Sequence, residues 1–173
     1  QGVALAARMH DTSAVIVMPI DAPQLKIDNT QAYGAEVVLY DRETESRDEI
    51  GARLSAEKEL TLVKPFDEPQ VIAGQGTCGL EIAEDAKAHG IKDADVIVCC
   101  GGGGLTSGIA LALEADAPTL RVRPAEPAGF DDVARSLTAG EIKSNPAKSG
   151  SICDAIITER PGDVTWPILK RLC

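Results

Sequence analysis

The stretch Val96-Ile97-Val98-Cys99-Cys100, followed at once by Gly101-Gly102-Gly103-Gly104-Leu105-Thr106-Ser107-Gly108, constrains this chain more than any other. Its first five residues are small or β-branched, apolar and uncharged, which predicts a buried strand. Consecutive glycines then free the backbone from its usual φ limits, so neighbouring amides can turn into one concavity. From Leu105 the run Ile109, Ala110, Leu111, Ala112, Leu113 predicts a helix. A glycine turn between a buried strand and a helix start suits an anion, above all a phosphate. The helix dipole favours negative charge there by ~0.3–2 kcal/mol, and each amide bond to a charged oxygen adds about 1.5–3 kcal/mol. Four glycines in a row exceed what packing alone is expected to need.

The rest of the sequence fits an α/β protein. Aromatic residues make up only 3% of the 173, so Ala, Val, Ile and Leu must build the core, as in parallel α/β sheets. The net charge of −10 makes nucleic acid and anionic membrane surfaces poor partners. No apolar run approaches the ~18 residues that span a bilayer. Cys78, Cys99, Cys100, Cys153 and Cys173 include no C-x-x-C pair, which argues against a disulfide framework or structural zinc and points to the cytoplasm. Cys99 and Cys100 point to opposite faces of the strand and read as small core residues.

Taken in order, helix and strand alternate. Gly2 to Met9 is helical, Ala14 to Pro19 a buried strand, and Ala22 to Tyr33 a helix stopped at Gly34. Glu36 to Tyr40 is the next strand, Ser46 opens an amphipathic helix, and Thr61 to Val63 reads as a short strand. Pro65-Phe66-Asp67-Glu68-Pro69 is the best boundary, giving units 1–67 and 68–173. Beyond it come a helix from about Val71 to His89, the glycine segment, a strand from Leu120 to Ala125 and a helix from Gly129 to Ala139. Within Glu141–Asp163 only Ile152–Thr158 looks extended, and a helical run ends the chain. Both ends cut through predicted elements, which points to a fragment. The alternation predicts open, mostly parallel twisted sheets with helices on both faces, in two domains.

Several chemistries can be weighed on the residues. A Walker loop needs Lys and Ser or Thr after its last glycine, but Ile109 follows Gly108. A dinucleotide fingerprint needs glycines at relative positions 1, 3 and 6, and no frame through Gly101–Gly104 supplies them. Glu126 nevertheless stands about 20 residues on, after the next strand, where a ribose-binding acid belongs. A non-catalytic Rossmann-type nucleotide-binding module therefore stays open. Glu126 and Asp132 could instead share a hard divalent cation with a carbonyl between them. The competing reading has Asp131 and Asp132 complementing a helix N-terminus. Thr106 and Ser107 are expected to offer hydroxyls to the anion or to cap the helix. His10, His89 and Lys26 read as solvated, and no G-x-S-x-G elbow is present.

Val71-Ile72-Ala73-Gly74-Gln75-Gly76-Thr77, the quartet Gly101–Gly104 with Leu105, and Glu126-Pro127 recur in this order in one family. Together they resemble pyridoxal-phosphate enzymes of the threonine dehydratase and serine racemase family. Gln1-Gly2-Val3-Ala4 resembles the helix directly after that family's Ser-Ser-Gly-Asn-His-x-Gln motif, and Gln31-Ala32-Tyr33-Gly34-Ala35 another of its segments. The resemblance implies a tryptophan-synthase-β-like fold of type II, with residues 1–67 part of the small domain and 68–173 part of the large cofactor-binding domain. It implies that Gly101, Gly102, Gly103, Gly104 and Leu105 hold the phosphate of pyridoxal 5'-phosphate through backbone amides. By similarity to the serine racemase branch, Glu126, Asp132 and the Phe130 carbonyl would bind Mg²⁺ or Mn²⁺. Ser151-Ile152-Cys153-Asp154-Ala155 resembles the segment beside the cofactor ring, with Ala155 where a Gly is common.

The resemblance also implies residues not found here. The lysine that holds the cofactor covalently, in a Ser-x-Lys-x-Arg-Gly motif, would precede Gln1. So would an Asn that meets the ring oxygen and a Ser that grips the substrate carboxylate; the Ser or Cys facing the pyridine nitrogen would follow Cys173. No residue of this chain is therefore assigned as catalytic, and the isolated chain is expected to be inactive. The expected parent is a homodimeric ammonia-lyase converting a small hydroxy amino acid (threonine, serine or 3-hydroxyaspartate) to a 2-oxo acid and ammonia. Serine racemisation is the alternative within the family.

Overall fold

A computed structural model describes residues 1–173. The chain forms two compact units, Gln1–Leu62 and Val63–Cys173. The first contains α1 (Gly2–Met9), β1 (Val15–Pro19), α2 (Gln24–Ala32), β2 (Glu36–Tyr40) and α3 (Arg47–Lys58). β1 and β2 pair in parallel, Val15 opposite Glu36 and Pro19 opposite Tyr40, with α2 as the crossover. Gly34, at φ +91°, lets the chain turn out of α2 into β2. Ser46 caps α3, its hydroxyl accepting from Glu49 N at 3.3 Å, and Asp48 and Glu49 lie in the first turn as their charge favours.

The second unit contains α4 (Pro69–Ala88), β3 (Ala94–Cys99), α5 (Gly104–Asp116), β4 (Leu120–Ala125), α6 (Asp132–Ala139) and α7 (Thr165–Leu172). β3 and β4 are parallel, from Ala94 opposite Leu120 to Cys99 opposite Ala125, with α5 as their crossover. Ala86, Val98, Ile109, Ala110, Leu113, Leu120 and Val122 close one core between α4, α5 and this sheet. Cys100, Val133 and Leu169 close a second between the end of β3, α6 and α7. Burying each large aliphatic side chain is worth about 1.5–3 kcal/mol. Glycines set how near α4 and α5 approach: a Cβ on Gly108 would lie 2.4 Å from Ile72 O, and one on Gly79 2.7 Å from Ala112 Cβ.

Several expectations need correction. β3 is not buried on both faces. Ala94, Val96 and Val98 turn inward, whereas Ile97 is 69% exposed and Cys99 lies open, so of the adjacent cysteines only Cys100 is a core residue. β1 is half-buried throughout. Thr61–Val63 forms no strand, because no neighbouring strand offers it a ladder. Ile152–Thr158 is irregular as well, and the Ile152 side chain is fully exposed. The helix expected from Gly129 starts at Asp132, since Gly129 sits at φ +83°. No helix is long and apolar enough to cross a membrane.

Candidate functional site

The glycine turn leaves β3 and enters α5 through Gly103, whose φ of +95° only glycine adopts cheaply. The first bond of the helix runs from Ser107 N to Gly103 O at 2.8 Å. Amides from Gly101 to Thr106 donate to no protein acceptor. They gather at the positive end of a helix of 13 residues, a ready place for an anion. Leu105 contributes its amide to this group while its side chain packs on the main core.

Every glycine of the quartet also has a packing role, which corrects the expectation that four exceed any packing need. A Cβ on Gly102 would lie 2.1 Å from Phe66 Cε2, one on Gly103 2.7 Å from Leu169 Cδ1, and one on Gly104 2.9 Å from Phe66 Cα. On Gly101 it would come within 3.2 Å of Ile156 Cα and Thr158 Oγ1. Thus the segment after Ala155 lies alongside the first glycine. Of the two roles expected of the hydroxyls, helix capping is not seen. Thr106 Oγ1 turns back to Cys99 O at 3.4 Å, Ser107 Oγ is buried without a partner, and neither caps α5.

Glu126, Phe130 and Asp132 surround the start of α6. Glu126 is the cap: its Oε1 accepts from Val133 N and its Oε2 from Ala134 N, both at 2.9 Å. Asp131 at the N-cap position and Asp132 in the first turn stand where the competing reading put them, but neither side chain caps α6, a role Glu126 takes from the end of β4. Asp131 instead pairs with Arg135 at 3.0 Å. Asp132 turns inward, only 1% exposed; its Oδ1 accepts from Asn145 Nδ2 at 2.5 Å and its Oδ2 has no partner. Burial, reinforced by the negative charge of Glu126, pushes the Asp132 carboxyl up to about 7. Burial likewise raises Glu126, outweighing its two amide bonds. Phe130 is buried, so the backbone at this point is held inside the fold.

No group of three or more His, Cys, Asp or Glu side chains forms a metal cluster. A cation here would rest on two carboxylates and a carbonyl, and the unpartnered, buried Oδ2 of Asp132 is a donor that fits one. Cys100 and Cys173 are also strongly perturbed, their thiols pushed up to about 12 and about 11 by burial, which keeps both protonated and unreactive. His10 and His89 are exposed, as expected.

Four residues around the site escaped the sequence reading. Asn145 bridges Asp132 and the carbonyl of Thr158, the latter at 2.9 Å. Phe66 lies on the glycine turn, Asp67 binds the amides of Asp163, Val164 and Thr165, and Thr165 bonds the Gly102 carbonyl. Their partners stand 13 to 98 residues away, so no local pattern marks them.

A parallel α/β pair joined through a glycine turn with free amides defines a class, and comparison with known proteins gives it a family. A family model described as pyridoxal-phosphate dependent enzyme matches residues 1–173. The chain belongs to this family. It is 43% identical to an L-threo-3-hydroxyaspartate ammonia-lyase of Pseudomonas sp over 173 residues, 99% of this chain and 52% of the relative. It is 40% identical to a serine racemase of Oryza sativa subsp. indica over 171 residues, 98% of this chain and 48% of the relative. Among solved structures, T.th. threonine deaminase superposes with a TM-score of 0.89 at 42% identity, covering 99% of this chain and 55% of that one. Maize serine racemase gives 0.88 at 39% identity, covering 98% and 50%. The fold is thus that of these enzymes, and the chain spans about half the length of the relatives it matches. A stand-alone nucleotide-binding module is not favoured.

Proposed function

We propose that this chain supplies the phosphate-binding part of a pyridoxal-phosphate-dependent ammonia-lyase acting on small hydroxy amino acids such as threonine, serine or 3-hydroxyaspartate. The observation that carries the reading is the set of unpaired amides from Gly101 to Thr106 at the start of α5. In this reading Gly101, Gly102, Gly103, Gly104 and Leu105 hold the phosphate of pyridoxal 5'-phosphate. The chain supplies part of a small domain and part of a large one, with the boundary between Leu62 and Val63 rather than after Asp67. When bound, the cofactor supplies an electron sink at the substrate α-carbon. The chain's own part is positional. Backbone amides fix the anion, and the packing of Phe66 and Leu169 leaves no room for side chains at Gly102, Gly103 and Gly104. No proton transfer is assigned to its residues, and the chain alone is expected to be inactive.

Glu126, Asp132 and the Phe130 carbonyl are proposed to hold Mg²⁺ or Mn²⁺, supported by the unpartnered buried oxygen of Asp132. Relatives named serine racemase support racemisation as the second reading. A homodimer in the cytoplasm is proposed as well, the compartment on the strength of five free thiols.

A chimera tests the reading. Residues 1–173 replace the matching segment of T.th. threonine deaminase, and the product is loaded with pyridoxal phosphate. The expected result is 2-oxo acid from L-threonine or L-serine, lost in Gly103→Val. D-serine formation without 2-oxo acid would favour racemisation, and a folded chimera that takes up no cofactor would overturn both.

A further inference from the structure

Gly102 O accepts two hydrogen bonds, from Gly162 N at 3.1 Å and from the buried Thr165 Oγ1 at 2.6 Å. A trans peptide carries its C=O and N–H in opposite directions. Fixing the Gly102 carbonyl toward Gly162 and Thr165 therefore turns the Gly103 N–H away from them. Both donors lie at the start of α7, and the group that shapes this start is not local. Asp67 Oδ2 accepts from Asp163 N at 3.1 Å, and its Oδ1 accepts from Val164 N at 2.8 Å and Thr165 N at 3.3 Å. Asp67 reaches so close that a Cβ on Gly162 would lie 2.1 Å from its Oδ1. The adjacent Phe66 ring rests on Gly102 from another side.

Resting on the reading of the turn as a phosphate cradle, we infer that Asp67 is a positioning residue for it. By capping α7 across the fold, Asp67 holds Gly162 and Thr165 against the Gly102 carbonyl and so sets the direction of the Gly103 amide. The carboxylate never touches the anion. Its negative charge stays behind the turn, engaged by three amides, while the amide it orients faces the other way. The segment Pro65–Pro69 is then a working part of the cradle rather than a connection between units.

Inorganic phosphate titrated into the ¹⁵N-labelled chain provides the test, read at the amides of Gly101 to Leu105. Asp67→Ala and Thr165→Val are expected to weaken phosphate by about fivefold to tenfold and to move the Gly103 amide resonance before any phosphate is added. Thr165→Ser keeps the hydroxyl and should bind within about twofold of the unmodified chain. Lys170→Ala removes a bond to Gly140 O at the far end of α7, and should lower the melting temperature with affinity unchanged. A folded Asp67→Ala that binds phosphate like the unmodified chain overturns the inference and leaves the cradle standing. Should Asp67→Ala not fold, equal affinity of Thr165→Val and Thr165→Ser overturns it instead. If phosphate moves none of these amides in the unmodified chain, the cradle reading falls and the inference with it.

Discussion

Asp132 has one carboxylate oxygen bonded to Asn145 and one buried with nothing to bind. Its folded value of about 7, against an ordinary 3.8, means that the folded chain keeps this proton after the unfolded chain has lost it. The associated stability is present below pH ~4 and fades as pH rises toward about 7. Denaturant titrations without divalent ions should show this loss relative to Asp132→Asn. Comparison with the variant is needed because Asp131 and Asp163, held low by Arg135 and Arg160, drive stability the opposite way. Mg²⁺ at pH 8 should restore the loss and raise the melting temperature, and Asp132→Ala should abolish that rise. A variant that still responds to Mg²⁺ would retire the metal site. The carboxylates of this site were legible in the sequence, because an acid at a strand end before a helix start is a local pattern. Asn145 was not, because it reaches Asp132 only through the folding of an irregular segment.

Among the elements, α4 and α5 decide whether the second unit holds together. Ala, Ile and Leu on both helices pack closely because Gly76, Gly79 and Gly108 face the contact; a Cβ on Gly108 would lie 2.7 Å from Gly76 N as well as against Ile72 O. Gly108→Ala must therefore push the helices apart, at a cost of about 1–3 kcal/mol, measurable as a lower midpoint in urea. Leu113→Ala should cost about 2–5 kcal/mol by leaving a cavity in the main core. Helices and the four paired strands were legible from periodicity, since each is written in a short window. Two further strands, at Thr61–Val63 and Ile152–Thr158, were wrongly expected. Short apolar windows look extended whether or not a neighbour exists to pair with them, and here none does. Burial of β3 was overestimated for a related reason: an uncharged run such as Val96–Cys100 suits a two-sided interior, yet only alternate residues are covered.

Across the whole molecule, one turn built from bare backbone is proposed to hold a phosphate. Sequence alone located that turn and its helix, but its supports come from Phe66, Asp67, Ile156 and Thr165, brought together only by the tertiary fold. The packing of these groups explains why the turn tolerates no side chains. A crystal structure of the chain with pyridoxal phosphate tests the proposed phosphate site most directly. Phosphate oxygens should lie within about 3 Å of the amide nitrogens of Gly101 to Leu105, and no phosphate should occupy the turn in Gly103→Val. Phosphate found only on lysine side chains elsewhere, with these amides left to water, would contradict it.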